Sequence, residues 1–536
     1  VRPPPPLPDF WKPRLASPQQ QRAAMSARVA AGAGLAGEWR TEAPARSRPL
    51  VALALALSLA ARAASAEPAP SHRESSVRTP SEGAPLPEAP VVRSSNGALS
   101  TTLVLGPARV EGPYTSLTTR VFNGSLPGPT LAVRPGDKLS ILFVNELEAP
   151  VGPDATNSYH HPNKTNLHVH GLHVSPQTPS DNVLDINLGP GESFHYEYQL
   201  IADHSPGTYW VHPHHHGSAV LQSGAGAAGA LLVLDPPGFL SEQLAALRDR
   251  VLVLQAFPLA GLQKAAKASK DALFHVDRWK WGQELWLVNG APVPIVSLRP
   301  REWQRLRFVA AGVSTWLHLD FGACDVALLA KDGIYINDFP RFVRRVSLPQ
   351  GGRADVVVRC PEGAAQEVSS VAAEASKGAK SFLGPVFRLL VEGRPAEGLA
   401  AESALRPWAP RTRPKYLQDT RSVAEPDCSC PTSLGLGGNT RWVEGHLWSG
   451  PASYMHVSPA NAVVERRLAG VAKHPYHAHT YPFQLLNTPA GNDPYFKSGD
   501  WHDTYFNAQD AKATVRYRTV DYYGPQVVHC HNPAHS

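Results

Sequence analysis

A short segment near the end of the printed sequence constrains this chain most: residues 529–535 read His-Cys-His-Asn-Pro-Ala-His. A Gly-Pro turn pair and two valines precede it, which predicts a strand leading into the segment. Side chains alternate between the two faces of a strand, so His529 and His531 would share one face and Cys530 the other. A thiolate with imidazoles suits a blue copper, and imidazoles alone also bind copper. The segment therefore predicts ligands for two metal sites, while a buried cysteine between surface histidines or a zinc site stays open.

Three further histidine pairs have the same alternating or near-alternating spacing. They are Asn166-Leu167-His168-Val169-His170-Gly171, Trp210-Val211-His212-Pro213-His214 and His474-Pro475-Tyr476-His477-Ala478-His479. With residues 529–535 they match the patterns HxHG, WxHxH, HPxHxH and HCHxxxH. Here the sequence resembles the multicopper oxidases, the family of laccases, bilirubin oxidases, ascorbate oxidase and ferroxidases, which have these four patterns in this order. Four matched patterns at two ends of a long chain are far more specific than any one of them.

The fold class that the resemblance implies is all-β, with three cupredoxin-like Greek-key β-sandwich domains in tandem. The residue pattern agrees, since from Leu99 short apolar or alternating runs are cut by Gly, Pro and Asn, which is typical of a β-sandwich. No histidine pair lies in the middle of the chain, so the middle domain is expected to act as a spacer without copper ligands. The predicted segments are a leader at 1–66, a flexible N-terminus at 67–96, domain 1 at 97–237, domain 2 at 238–393, a linker at 394–412 and domain 3 at 413–536.

The N-terminal residues predict export. After Met25, Arg40, Arg46 and Arg48 precede an apolar run at 50–61, and Ala64-Ser65-Ala66 forms a cleavage pattern before Glu67. This layout is typical of a signal peptide, and twelve apolar residues are too few to span a bilayer. We therefore expect residues 1–24 to be upstream sequence, the mature protein to begin at Glu67 and to be secreted, and no membrane span in the chain.

The formal charge of +6 does not indicate a nucleic-acid partner. Residues 1–66 hold nine Lys or Arg and three Asp or Glu, whereas the remainder has 42 of each and no net charge. A basic binding surface is therefore not supported by composition. Of the five cysteines, Cys530 is assigned to copper. Export makes disulfides possible among the remaining four, Cys324, Cys360, Cys428 and Cys430, but their pairing cannot be read from the sequence.

The resemblance implies four copper ions and a ligand for each. The type 1 copper would be held by His474, Cys530 and His535. The type 2 copper would be held by His168 and His477, and the type 3 pair by His170, His212, His214, His479, His529 and His531. These eight cluster histidines come from domains 1 and 3, so the trinuclear site must form where the two domains meet. Cys530 lies between two type 3 ligands, which gives an electron a covalent route of one residue.

Asp181 is the predicted catalytic carboxylate beside these ligands. It lies between the first two patterns, where the family has an acidic residue, and reduction of O2 to water consumes protons. We expect it to deliver protons; the alternative is an ordinary turn residue. Five other histidines, His160, His161, His173, His215 and His216, fall outside the family patterns and are expected to support ligands or lie on the surface.

The predicted function is a secreted, laccase-like oxidase that takes single electrons from phenols, aromatic amines or similar small donors and reduces O2 to water. A ferroxidase or a bilirubin-oxidase activity stays open. A non-catalytic copper-binding cupredoxin protein and a copper nitrite reductase are the alternatives of other classes; the complete ligand set argues against the first and the His-Cys-His segment against the second. The family places an axial residue five positions after the last histidine, beyond Ser536, so we expect a truncated C-terminus and an undetermined type 1 potential. The oligomeric state cannot be predicted.

Overall fold

The computed structural model describes residues 75–148, 152, 157–312, 315–373, 381–437, 440–452, 454–487, 494–509 and 512–532. The predicted leader, the predicted cleavage site and His535 lie outside these residues. The described residues fall within one compact unit, 72–536. Strands dominate this unit and form six sheets, which occur as three successive pairs along the chain.

The first pair of sheets contains the first two histidine patterns. Its strands are β1 Ser75–Arg78, β2 Val91–Arg93, β3 Ala98–Glu111, β4 Thr115–Phe122, β5 Thr130–Val133, β6 Lys138–Asn145, β7 His168–His170, β8 Ser193–Gln199, β9 Gly207–His212 and β10 Gly229–Val233. One sheet has the order β4-β3-β6-β8 with β1 beside β3, and the other has the order β2-β5-β10-β9-β7. Along β6, buried and more exposed residues alternate, because one face of the strand packs on the facing sheet.

The second pair of sheets contains no histidine pair. Its segment comprises β11 Arg248–Pro258, β12 His275–Trp279, β13 Glu284–Val288, β14 Ile295–Leu298, β15 Gln304–Ala311, β16 Leu317–Asp320, β17 Asp325–Lys331, β18 Ile334–Tyr335, β19 Arg341–Phe342, β20 Arg345–Leu348, β21 Arg353–Arg359, β22 Ala365–Ser370 and β23 Gly384–Val391. The sheets have the orders β13-β11-β15-β21-β17-β18, with β19 beside β17, and β14-β23-β22-β16-β20. Strand β12 instead pairs with β4 and extends the first sheet. The chain therefore crosses back after the predicted boundary at 237.

The third pair of sheets contains the last two histidine patterns. Its strands are β24 Cys428–Gly437, β25 Thr440–Val443, β26 Val463–Ala469, β27 Tyr476–Ala478, β28 Phe483–Leu485, β29 Trp501–His502, β30 Thr504–Tyr505, β31 Ala513–Arg518 and β32 Val528–Cys530. The sheets have the orders β25-β24-β26-β31-β28-β29 and β30-β27-β32. The strand that was predicted to enter the C-terminal motif is thus β32, and it pairs with the strand that carries His477.

Helices are few and short in the described residues. They are α1 Ala219–Gln222, α2 Glu242–Ala245 and α3 Leu259–Ser269. Helix α2 lies between the first and second pairs of sheets, and Ser241 caps it by accepting a hydrogen bond from the Leu244 amide. Helix α3 buries Leu262, Ala265 and Ala266 in a cluster of apolar side chains that also contains Leu117 and Phe257.

Apolar and ionic contacts join the first pair of sheets to the second. Trp210 of β9 packs with Ala230, Val253 and Val309 in one buried cluster. Strand β15 is buried along its whole length, although it carries two arginines. Arg305 and Arg307 both contact the Asp355 carboxylate, at 2.5 and 3.3 Å, and Thr208 of β9 donates to the same carboxylate at 2.7 Å. The two pairs of sheets therefore share a buried, ion-paired interface next to the WxHxH pattern.

Candidate metal centre

Strand pairing brings the four histidine patterns together in pairs. In the first pair of sheets β7 and β9 run antiparallel with His168 opposite His212. In the third pair β27 and β32 run antiparallel with His477 opposite His529. Because directly opposed residues point to the same face, each pairing sets two imidazoles side by side.

The two sets of histidines then meet face to face. The ring of His168 stacks on His479 with centroids 3.9 Å apart, and His170 stacks on His477 at 3.8 Å. Four groups of three have ligand nitrogens within 4.8 Å of one another: His168, His477 and His479; His168, His170 and His212; His170, His477 and His531; and His214, His479 and His529. All eight histidines assigned to the trinuclear site from the sequence therefore lie in one cluster, which we call the eight-histidine cluster.

Protein acceptors fix which ring nitrogen of several histidines faces away from the cluster. His168 Nδ1 donates to Asp181 Oδ2 at 2.8 Å, and His212 Nδ1 donates to the Pro213 carbonyl at 3.0 Å. His477 and His529 donate their Nδ1 hydrogens to the carbonyls of Asp503 and Cys530, at 2.8 and 2.9 Å. A proton held on Nδ1 leaves the Nε2 lone pair available, which is the arrangement that metal-bound histidines use.

The nitrogens that face inward supply the test of whether copper fits. Within the described residues, the Nε2 atoms of His168, His212 and His477, the Nδ1 of His170 and both nitrogens of His531 are buried without a hydrogen-bond partner. Leaving buried polar atoms unpaired costs roughly 1–3 kcal/mol each, so a set of them pointing at one another calls for an occupant. Imidazole nitrogens in this number suit copper, and the residues present therefore fit the predicted ions.

Burial keeps these imidazoles in the form that can bind a metal. It lowers the pKa of His168, His170, His214, His477, His479 and His531 well below the usual value, with neighbouring histidines adding to the effect. It also lowers the pKa of His212 to about 3 and that of His529 to about 4. Because only the neutral ring can donate a lone pair, the cluster is ready for a cation near neutral pH.

Two of the three predicted type 1 ligands lie together on the other side of β32. Cys530 Sγ is 3.4 Å from His474 Nδ1, and His474 is buried. The third, His535, lies outside the described residues. The Cys530 side chain points away from the eight-histidine cluster while the residues on either side of it belong to that cluster, as the alternation of a strand requires.

Asp181 contacts the cluster directly. Its carboxylate accepts the His168 Nδ1 hydrogen, and its Oδ1 accepts the Val169 amide at 3.1 Å. Burial raises the pKa of Asp181 to about 8, opposed by the bond from Val169. The turn that contains Asp181 thus places a buried carboxylate against a histidine of the cluster, which is more than a turn residue requires.

A second carboxylate, Asp503, was not predicted from the sequence. The Oδ1 atom of Asp503 lies 3.1 Å from His170 Nε2, and the backbone carbonyl of Asp503 accepts a hydrogen bond from His477. Arg353 of β21 forms a two-nitrogen ion pair with this carboxylate, with Nη1 at 2.7 Å from Oδ1. Asp332 accepts the Arg353 amide at 2.9 Å and the Asp503 amide at 3.2 Å. Removing one partner of such a buried pair costs about 3–5 kcal/mol, so the pair fixes Asp503 firmly.

The middle domain therefore does more than act as the expected spacer, because its residues support the histidine cluster. Arg353 begins β21, and Asp332 lies in the turn between β17 and β18. Arg353 pairs with the Asp503 carboxylate and Asp332 accepts the Asp503 amide, so both residues hold in place the aspartate that contacts His170 and His477. In the sequence these residues stand in glycine-containing turns, and nothing links Arg353 to an aspartate 150 positions away. A buried charged pair can be recognised only once the fold has brought it together.

Two glycines make these close approaches possible. A Cβ at Gly171 would lie 2.3 Å from Arg353 Nη2 and 2.4 Å from Asp503 Oδ2, and a Cβ at Gly351 would lie 2.8 Å from the His531 ring. Both residues also have φ values above +80°, which only glycine adopts readily. Gly171, the glycine of the HxHG pattern, thus leaves room for the Arg353–Asp503 ion pair beside the cluster.

The five histidines that were expected to support ligands or lie on the surface are separate from the eight-histidine cluster. His173 is fully buried and bonds the Thr480 carbonyl and Asp521 Oδ2, at 2.9 and 3.0 Å, so it joins the first and third pairs of sheets. The other four pack on one another with ring centroids 5.0 to 6.4 Å apart, and they are His160, His161, His215 and His216. No group of three ligand atoms forms among them in the described part of the chain.

A buried, neutral set of histidines with an adjacent thiol on strands of two β-sandwiches defines a copper oxidoreductase centre. Comparisons with known proteins give the family. Models of the multicopper oxidase family match residues 110–238 and 410–536. The chain is 23% identical over 487 residues to the multicopper oxidase MmcO of Mycobacterium tuberculosis, covering 82% of this chain and 86% of that protein. It is 26% identical over 480 residues to a laccase of Bacillus stratosphericus, covering 78% and 88%.

The fold agrees with solved structures. A multicopper oxidase from Campylobacter jejuni, described as a metallo-oxidase, superimposes with a TM-score of 0.64 at 19% identity, over 85% of this chain and 93% of that one. The expected cupredoxin-like sandwiches are thereby confirmed. The chain belongs to the multicopper oxidase family, whose members are copper-dependent oxidoreductases, and it is an oxidase enzyme.

Proposed function

We propose that this enzyme couples one-electron oxidation of phenols, aromatic amines or similar small donors to the four-electron reduction of O2 to water. The observation that carries the proposal is the eight-histidine cluster, placed one residue from a thiol ligand. Among the described residues, six of its ring nitrogens are buried without a hydrogen-bond partner. The four-copper assignment of the sequence analysis is part of the proposal, with type 1 copper on Cys530, His474 and His535.

The chain's own residues have three tasks in this reaction. Copper ions bound here would accept single electrons from the donor and deliver four to O2. The backbone from Cys530 to His529 and His531 connects the donor side to the cluster by the shortest covalent path. Asp181 and Asp503 hold His168 and His170 in place, and burial excludes water from the ring nitrogens.

The donor is the least determined part of the proposal. A laccase-type donor is favoured by the relatives with laccase names, while the Campylobacter jejuni structure is described as a metallo-oxidase. Oxidation of a metal ion or of bilirubin would use the same type 1 ligands. A donor panel separates these activities, because each donor is measured by O2 uptake on one preparation.

We further propose that the protein is secreted. The support is the signal-peptide layout of residues 25–67, which lies outside the described residues. Within the residues that the structure describes, no helix is long and apolar enough to cross a membrane. Sequencing the N-terminus of the protein from culture medium tests cleavage before Glu67.

The central experiment measures copper per chain, the visible spectrum and O2 uptake on the purified protein. We expect four coppers, a blue absorption band and O2 consumption with at least one phenolic or aromatic amine donor. Bound copper without O2 uptake for any donor would instead support the non-catalytic copper-binding alternative. Hydrogen peroxide as the product would contradict four-electron reduction.

Asp181→Asn is expected to slow O2 reduction while the blue band remains. The asparagine side chain keeps the shape of the carboxylate but offers one acceptor oxygen to the two donors, His168 Nδ1 and the Val169 amide. Loss of such an orienting bond costs about 10–100-fold in metal affinity or activity. The check is the EPR signal of the type 2 copper together with the rate of O2 uptake. Asp185→Asn, on an exposed residue of the same loop, is the control, and parent-like rates in both variants would return Asp181 to a turn role.

A further inference from the structure

Two cysteines remain outside both the copper centre and the disulfide. The structure joins Cys324 to Cys360 and leaves Cys428 and Cys430 as thiols, half-buried at the start of β24. Their sulfur atoms lie 3.4 Å apart without a bond between them. Residues two apart on a strand point to the same face, so the backbone itself holds the two sulfurs together.

A buried cation lies beside this pair. Strand β24 runs parallel to β26 with Cys430 opposite Arg466, and Arg466 is 5% exposed. Among the described residues, its Nε and Nη1 atoms have no hydrogen-bond partner. Glu444 Oε1 lies 4.0 Å from Arg466 Nη1, and the other oxygen of Glu444 bonds His456 at 2.8 Å. Arg466 also bonds the Tyr517 hydroxyl, and this partly paired guanidinium would favour a negative group at the two sulfurs.

The charges set the chemistry of a ligand for the pair. Burial and the contact with Cys428 raise the pKa of the Cys430 thiol, and Arg466 opposes this rise. The Cys430 thiol is therefore protonated near neutral pH, and a soft metal must displace thiol protons to bind. Two thiolates and one monovalent cation carry a net charge of −1, which the single positive charge of Arg466 balances.

Ligand number separates the possible metals. Zinc in proteins takes four ligands, or three and a water, and in the described residues no third ligand atom forms a group with the two sulfurs. Thiolates are soft ligands that select Cu(I) among the biological copper states. Cu(I) can be held by two sulfurs alone, whereas harder divalent ions cannot.

We propose that Cys428 and Cys430 form a cuprous-ion site that is separate from the oxidase coppers. On binding, both S–H bonds break, two S–Cu bonds form, and two protons pass to solvent with no change of oxidation state. Arg466 neutralises the resulting complex. The site would hold one Cu(I) on the third pair of sheets and does not depend on which donor the enzyme oxidises.

The test is a Cu(I) titration of the copper-loaded enzyme, fully reduced with ascorbate under anaerobic conditions, against the chromophoric chelator bicinchoninate. The parent is expected to bind one Cu(I) more than Cys428→Ser or Cys430→Ser, with two protons released and two thiols protected from alkylation. Ser429→Ala is the matched control, because Ser429 lies between the cysteines on the other face and bonds Glu465. Arg466→Gln should retain the ion about 10-fold more weakly.

Equal uptake by the parent and both cysteine variants would overturn the proposal. So would a Cys428–Cys430 disulfide that persists in the reduced enzyme, or protection of the same two thiols by Zn²⁺ as effective as by Cu(I). Donor oxidation and melting temperature of the two variants should match those of the parent, which separates a lost site from a damaged fold. Failure of the oxidase proposal would appear in O2 uptake and would leave this titration unchanged.

Discussion

Cys530→Ser is expected to abolish the blue absorption and the oxidation of every donor, while most copper of the eight-histidine cluster stays bound. Cys530 is the thiol that faces His474, at 3.4 Å, and a serine oxygen is a hard ligand that cannot replace a thiolate at a blue copper. The cluster should survive because His477 remains opposite His529 in the β27–β32 pairing. Visible absorption, copper content and donor-dependent O2 uptake measure the three effects.

A matched control uses another thiol of the same domain. Cys428→Ser removes a half-buried sulfur that lies outside the eight-histidine cluster, so its blue band and turnover should equal those of the parent. A Cys530→Ser protein that stays blue would mean that the type 1 copper is held elsewhere. Loss of all copper from that variant would instead mean that β32 cannot fold without its metal.

The clustering of the eight histidines could be predicted because short stretches of sequence determine which face of a strand each side chain occupies. Alternation along a strand has a period of two, so the letters His-Cys-His already separate two faces, and the structure places Cys530 and its neighbours accordingly. Each histidine pair sits on a short strand or at its end, where the pairing register is fixed by a buried face. The all-β fold and the meeting of the first and third sandwiches followed from the same patterns and the family resemblance.

The charged residues that support the cluster could not be predicted, because the partners in each pair are far apart in the sequence. Arg353 and Asp503 are 150 residues apart, and Thr208 reaches Asp355 over 147. Charged residues are common on surfaces, and composition does not tell which of them will be buried against a partner. The crossing of β12 to the first sheet has the same origin, since an edge strand can pair with any free edge that the fold brings near.

Cysteine pairing is another case in which spacing alone was insufficient. Four cysteines allow three connectivities, and Cys428 and Cys430 are the closest in sequence. The structure pairs Cys324 with Cys360, at the ends of β17 and β21, which are neighbours in one sheet. Cys428 and Cys430 lie unbonded on one face of β24, so the closest pair in the sequence is not the pair that the structure joins.

His168→Ala is expected to lower type 2 copper occupancy and to reduce the rate of O2 reduction about 100-fold or more, since even a supporting contact is worth 10–100-fold. His168 belongs to two of the four ligand groups and stacks on His479 at 3.9 Å, so its loss opens the cluster between both sandwiches. The ligands His474 and Cys530 are untouched, and the blue band should therefore still bleach when donor is added without O2. His195→Ala, on an exposed histidine of β8 with 54% of its side chain accessible, is the control and should keep four coppers and full turnover. O2 uptake at the parent rate by the His168 variant would contradict the ligand assignment, whereas a band that no longer bleaches would place His168 on the donor side of the enzyme.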